Sequence, residues 1–142
     1  MAVVFSTKAI NTGGRFGGVS KLEDGSMEVK TQKPEAMGGN PDSDATNPEE
    51  LFALGYAACF QSSLDGILEA RNVEGETRIE VTVNFLEDEA DNGFKIGTKI
   101  EVAIEGEDEK TAQRLAELGH QSCPYSKATA GNIDSEVVAI PY

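Results

Sequence analysis

The stretch from Asn47 to about Arg71 limits what this chain can fold into more than any other. Asn47 can accept a hydrogen bond from the first helical turn, Pro48 suits the first helical position, and Glu50 three residues after the cap completes a capping-box pattern. From Leu51 to Ala58 the residues LFALGYAA are apolar on every face of the predicted helix. Such a helix calls for burial all round, in a core or between subunits. After Cys59 the stretch becomes amphipathic through Leu64, Ile67 and Leu68, and it ends near Arg71 and Asn72.

Strand signals flank this helix. Residues 2–10 (AVVFSTKAI) and 26–32 (SMEVKTQ) read as strands, with the glycine-rich NTGGRFGG and the turn Glu23-Asp24-Gly25 between them. Residues 34–46 carry two prolines and two glycines and read as a loop. Residues 77–87 and 94–105 alternate in polarity and are joined by the turn Asp91-Asn92-Gly93, a hairpin signal. Residues 108–119 read as an amphipathic helix opened by Asp108, residues 121–130 as a short helical turn holding Cys123, and residues 133–140 as a closing strand. The order βββ, α, ββ, α, β is an α+β class with antiparallel sheets packed on a long buried central helix. No repeat or linker divides the chain, so 1–142 is expected to be a single domain.

Charge and cysteine usage narrow the chemistry. With 12 Lys and Arg against 25 Asp and Glu, the net charge of −13 argues against nucleic acid, which needs clustered cations to displace counterions from phosphates. No secretory leader and no uninterrupted membrane-length apolar run is evident, so the expected compartment is the cytoplasm, without a membrane partner. Thiols there are kept reduced. A pair such as Cys59 and Cys123, the only cysteines, then points to catalysis or metal binding rather than a permanent staple. Cys59, Cys123 and His120 make a poor zinc set because no spaced fourth ligand accompanies them, and His120 reads as a helix C-terminal residue. The run from Gly13 to Gly18 lacks the lysine and spacing of a phosphate loop and reads as flexible backbone around a mobile Arg15. Phe16, Phe52, Tyr56, Phe60 and Tyr125 either line a pocket for an apolar tail or belong to the core.

The segments TNPEELFALGYAACF (46–60) and CPYSKATAGNI (123–133), with GGR (13–15) near the start, resemble the OsmC/Ohr family, on the organic hydroperoxide resistance branch. The resemblance implies an intertwined homodimer with active sites at the subunit interface and a thiol-dependent peroxidase activity toward organic hydroperoxides. It implies recycling by a dithiol, such as protein-bound dihydrolipoyl groups, and no haem, flavin or metal cofactor. Carried onto this chain, Cys59 is the peroxidatic cysteine, Cys123 the resolving one, Arg15 the activating cation and Glu49 the carboxylate that holds it. A basic residue is expected more often where Ala130 stands, a departure that bears on specificity. Two rivals remain at this point: a generalist peroxidase of the osmotically inducible branch, and a redox sensor that does not turn over.

Elementary thiol chemistry sets what each implied role must supply. The thiolate is the attacking species, and an unperturbed thiol is only about 3% ionised at pH 7. Burial within a helix raises the pKa further, so Cys59 needs a cation, and guanidinium offers a permanent charge with a planar fork of donors. Lowering a thiol pKa from about 8.5 to about 5.5 raises the thiolate fraction about 30-fold. Intrinsic nucleophilicity falls by about 15- to 30-fold over that range if the sensitivity of disulfide exchange applies. The two effects roughly cancel, so most acceleration must come from positioning the peroxide and stabilising the departing alkoxide. Glu49 can aim Arg15 through a bidentate pair, or can serve simply as an acid favoured at a helix N-terminus; for Glu50 capping is the expected role. Ten residues of helix rise about 15 Å, too far for Glu49 to serve the Cys59 of its own chain. A site shared between subunits removes that difficulty.

Overall fold

The computed structural model describes residues 1–142 and divides into two compact units, Met1–Leu51 and Phe52–Tyr142. The first unit holds a three-stranded antiparallel sheet, β1 (Ala9–Thr12), β2 (Val19–Leu22) and β3 (Glu28–Lys30), in that order. Its register pairs Ala9 with Leu22 and Val19 with Lys30. Only Ala9 and Ile10 of the strand expected at 2–10 are in β1; Val3, Val4 and Phe5 are exposed. Their β-propensity has no strand to pair with in this chain. A single 3-10 turn at Glu35–Met37 interrupts the expected loop, and Thr31 then bridges Thr46, directly before the helix cap.

The helix α1 runs over Pro48–Ala70 and ends as Asn72 takes a left-handed conformation with φ 54°. Asn47 caps it, its Oδ1 accepting from the Glu50 backbone N–H at 2.8 Å. The capping box is incomplete, because the Glu50 carboxylate accepts instead from the Thr46 hydroxyl at 3.0 Å. The helix is long and apolar enough to cross a membrane on length and composition alone, a test that core helices also pass.

In the second unit, β4 (Thr77–Asp88) and β5 (Gly93–Ile104) form the expected hairpin, followed by α2 (Glu109–Ser122), α3 (Pro124–Thr129) and β6 (Ser135–Ile140). The sheet order is β4-β5-β6, and β6 runs parallel to β5, so this sheet is mixed rather than antiparallel. The expectation failed here because strand direction is set by the α2–α3 crossover and leaves no mark on the strand's own residues. Gln113 on α2 fastens β6, donating to the Val137 carbonyl at 2.9 Å and accepting from the Ala139 N–H at 2.7 Å.

The core of this unit comes from a strict four-residue stripe on α1. Tyr56, Phe60, Leu64 and Leu68 pack with Ile100, Val102 and Ile104 of β5, with Ala112, Leu115 and Ala116 of α2, and with Cys123. Burying a side chain of this size is worth about 1.5–3 kcal/mol, more than any helix-propensity difference, so the stripe decides which way α1 faces. Gly119 lets α2 come close: a Cβ there would sit 3.2 Å from the Phe60 ring. The stretch Leu51–Ala58 is not buried all round within one chain. Tyr56 is fully buried, but Leu54 is 68% exposed and Leu51 37%.

Candidate active site

Arg15 stands in the turn between β1 and β2, where Gly13, Gly14 and Gly17 all have positive φ. That turn is fastened, contrary to the expectation of flexible backbone. The buried Thr31 hydroxyl donates to the Gly14 carbonyl at 2.6 Å and accepts from the Gly18 N–H at 3.2 Å, while the Gly17 N–H donates to the Thr31 carbonyl at 2.9 Å. Asn11 accepts from the Gly14 N–H at 2.9 Å. A Cβ on Gly18 would collide with the Gly14 backbone, so the turn folds on itself only with glycine there. No sequence signal marks Thr31 for this role, since it depends on β3 passing beside the turn.

The turn presents Arg15 to Glu49 on the first turn of α1, and the two form a bidentate pair of 2.6 and 2.8 Å. The hydrogen bonds from Arg15 hold the Glu49 carboxyl below the usual carboxylate range against the opposing effect of burial, and those to Glu49 raise Arg15 in turn. Both ends stay part-exposed, Arg15 at 29% and Glu49 at 17% of the side chain. Beside the arginine, Phe16 lies open, its ring 5.3 Å from the Lys33 ammonium.

The second unit brings the two thiols together. Cys59 on α1 and Cys123, the junction between α2 and α3, approach to 3.7 Å between sulfurs, with the Cys123 thiol donating. A disulfide is about 2.05 Å, so the pair is in contact and unbonded. Cys123 is fully buried; Cys59 is half-buried. Burial pushes the Cys59 thiol above its ordinary range, the Tyr125 backbone N–H pulls it down, and Cys123 adds to the upward push. Tyr125 lies across α1 at Gly55, where a Cβ would come within 2.6 Å of its hydroxyl oxygen. With Phe52 and Tyr56 it forms a cluster of rings 5.5–5.9 Å apart.

Of the aromatic residues singled out in the sequence, Tyr56 and Phe60 are core, Phe52 and Tyr125 are part-exposed about α1, and Phe16 is exposed. His120 sits in the last turn of α2, as expected, and its Nδ1 meets the Ser126 hydroxyl at 2.9 Å. Ser126 in turn meets the Tyr56 hydroxyl at 2.7 Å. Sequence reasoning passed over this buried polar chain, whose only advance sign was the shared three-residue spacing of Tyr56 to Cys59 and of Cys123 to Ser126.

The sequence model of the OsmC-like protein family matches residues 39–138. The chain is 43% identical over 135 residues to the organic hydroperoxide resistance protein-like 2 of Staphylococcus epidermidis, covering 94% of each. The structure superposes on the crystal structure of the organic hydroperoxide resistance protein OhrB of Bacillus subtilis with a TM-score of 0.86, at 38% identity, covering 97% of this chain and 100% of that one. For an organic hydroperoxide resistance protein from Elizabethkingia anophelis, solved with thiocyanate bound, the TM-score is 0.89 at 35% identity, with all of both chains covered. With the Arg15–Glu49 pair and the Cys59–Cys123 pair both formed at the motifs that first suggested it, this chain belongs to the OsmC/Ohr family.

Proposed function

We propose that this protein is a cysteine-based peroxidase that reduces organic hydroperoxides to alcohols. The observation that carries the reading is the unbonded Cys59–Cys123 contact at 3.7 Å, in a family whose named members are organic hydroperoxide resistance proteins. In the first step the Cys59 thiolate attacks the terminal peroxide oxygen, the O–O bond breaks, and the alkoxide leaves and takes a proton, giving an alcohol and a Cys59 sulfenic acid. In the second, the Cys123 sulfur attacks the sulfenic sulfur, the S–O bond breaks, and water leaves as the disulfide forms. A dithiol, such as a protein-bound dihydrolipoyl group, then reduces the disulfide by two exchange steps and departs as its own disulfide.

Cys59 lies in surroundings that favour the neutral thiol, so the first step requires a cation. Arg15, held by Glu49, is assigned that role, with the fork of its guanidinium also receiving the developing alkoxide. Glu49 and Cys59 lie ten residues apart on one helix, about 15 Å of rise. In this reading the working enzyme is an intertwined homodimer in which Arg15 and Glu49 of one subunit serve Cys59 and Cys123 of the other. The exposed apolar side chains Leu51 and Leu54 on α1 support a second copy as the missing cover. Residues 1–142 act as one functional domain in this reading, and the cytoplasm, with its dithiol reductants, is the setting that suits it.

The test is intact-mass analysis after one equivalent of an organic hydroperoxide, joined to steady-state consumption with a dithiol. Wild type should lose two hydrogens and turn over; Cys123→Ser should gain one oxygen on Cys59 and stall after about one peroxide per site. Cys59→Ser should do neither. Oxygen appearing on Cys123 in Cys59→Ser would reverse the two roles, and stoichiometric oxidation without turnover would make the protein a sensor.

A further inference from the structure

Behind the two thiols lies a second pair of side chains on the same two segments. Tyr56 precedes Cys59 by three residues on α1, and Ser126 follows Cys123 by three residues on α3. On α1 residues three apart share a helix face, so Tyr56 and Cys59 stand side by side, while Cys123 is the cap that opens α3 and Ser126 lies in its first turn. Sulfur meets sulfur at 3.7 Å, and hydroxyl meets hydroxyl at 2.7 Å. The hydroxyl rung is wholly enclosed, with Tyr56 at 0% and Ser126 at 1% exposure.

The rung is also fully satisfied. His120 Nδ1 lies 2.9 Å from Ser126 Oγ, which lies 2.7 Å from the Tyr56 hydroxyl, so each of the three polar atoms has a partner. Thr129 donates to the Ser126 carbonyl at 3.1 Å and stands 3.5 Å from the Tyr56 hydroxyl. Phenylalanine and alanine would fill the same space without polar atoms. A buried, complete polar network in place of an apolar one fixes a single arrangement of the segments that carry it. Here the arrangement fixed is the meeting of α1 with the Cys123 junction.

We infer that the Tyr56–Ser126–His120 chain is a positioning clamp that holds Cys123 against Cys59, so that the oxidised Cys59 is captured as disulfide before a second peroxide reaches it. The clamp is redox-inert and does not depend on the state of either sulfur. Its kinetic meaning rests on the proposed peroxidase reading, because the competing path is oxidation of the sulfenic acid by another hydroperoxide to a sulfinic acid, with a second alcohol released. Its thermodynamic meaning does not. A clamp raises the effective concentration of one thiol at the other whatever oxidises them.

The experiment titrates the full-length protein in glutathione redox buffers and compares wild type with Tyr56→Phe and Ser126→Ala. Each variant should lower the effective concentration of the thiol pair about tenfold, which moves the potential of this two-electron couple by about 30 mV. Tyr56→Phe deletes a single oxygen and keeps the ring, so it reads the same bond should Ser126→Ala fail to fold. Effective concentrations within twofold of wild type in the folded variants would overturn the clamp. In a second arm, excess cumene hydroperoxide should give a higher ratio of Cys59 sulfinic acid to disulfide in the variants, and an unchanged ratio would remove the clamp from catalysis. A protein inert toward hydroperoxides would sink the peroxidase reading alone, since the glutathione arm contains none.

Discussion

The arginine turn and the thiol junction are built on opposite principles. Arg15 and Glu49 are a charged pair in a part-exposed setting, held by a glycine turn and the first turn of a helix, and each satisfies the other's charge. Cys59 and Cys123 meet in a largely apolar setting of helices, where burial works against ionisation of Cys59. The first region has a cation and no nucleophile; the second has a nucleophile and no cation. In the proposed reading neither cluster is a reactive centre by itself, and the two differ in exposure as their chemistry does. The guanidinium keeps its charge in water at little cost, whereas a neutral thiol loses little by being covered.

The division can be broken most decisively by mixing chains. Cys59→Ser and Glu49→Ala, each inactive alone, should regain activity as heterodimers, with about half the wild-type sites intact in each heterodimer of a two-fold assembly. Verified heterodimers with no activity would mean that each site is built within one chain. A smaller effect is expected from Arg15→Lys. An ammonium keeps the charge but loses the fork, and the rate with hydroperoxide should fall at least about tenfold, or about 1.4 kcal/mol of barrier. A wild-type rate would take Arg15 out of the mechanism. The smallest effect tests whether the regions are separable: Asn47→Ala removes the cap of α1 and should cost about 1 kcal/mol. Calorimetry should show a midpoint lower by about 3 °C. The glutathione titration of the thiol pair should stay where it is, and a moved potential would show that the cap's region governs the thiols.

What could be read from the sequence follows the range of the forces involved. The hairpin β4–β5 was legible to within a residue at each end because alternation and an Asp-Asn-Gly turn are local signals. Asn47 and Asp108 were legible as caps for the same reason, each accepting from a backbone N–H three residues on. β2 was not located, since the four residues Val19–Leu22 between glycines and a turn carry no periodicity long enough to see. The N-terminal strand was placed too early because propensity reports what a segment could pair with, not whether a neighbour is there. At the site, the four principal residues came from family resemblance, and the physics of thiol ionisation explained why a cation belonged among them. Thr31, His120 and Ser126 stayed hidden because their roles arise only when separate segments pack side by side.

The parallel pairing of β6 with β5 also has a consequence for how the molecule is made. A hairpin such as β4–β5 joins neighbours in sequence and can close early, whereas a parallel partner waits for its crossover to be laid down. That crossover contains α2, Cys123 and α3. A chain emerging during synthesis therefore displays Cys59 well before Cys123 exists, and β6 follows only after both. β6, which follows Cys123 closely in sequence, is thus the strand whose docking completes the sheet of the unit in which the two thiols meet.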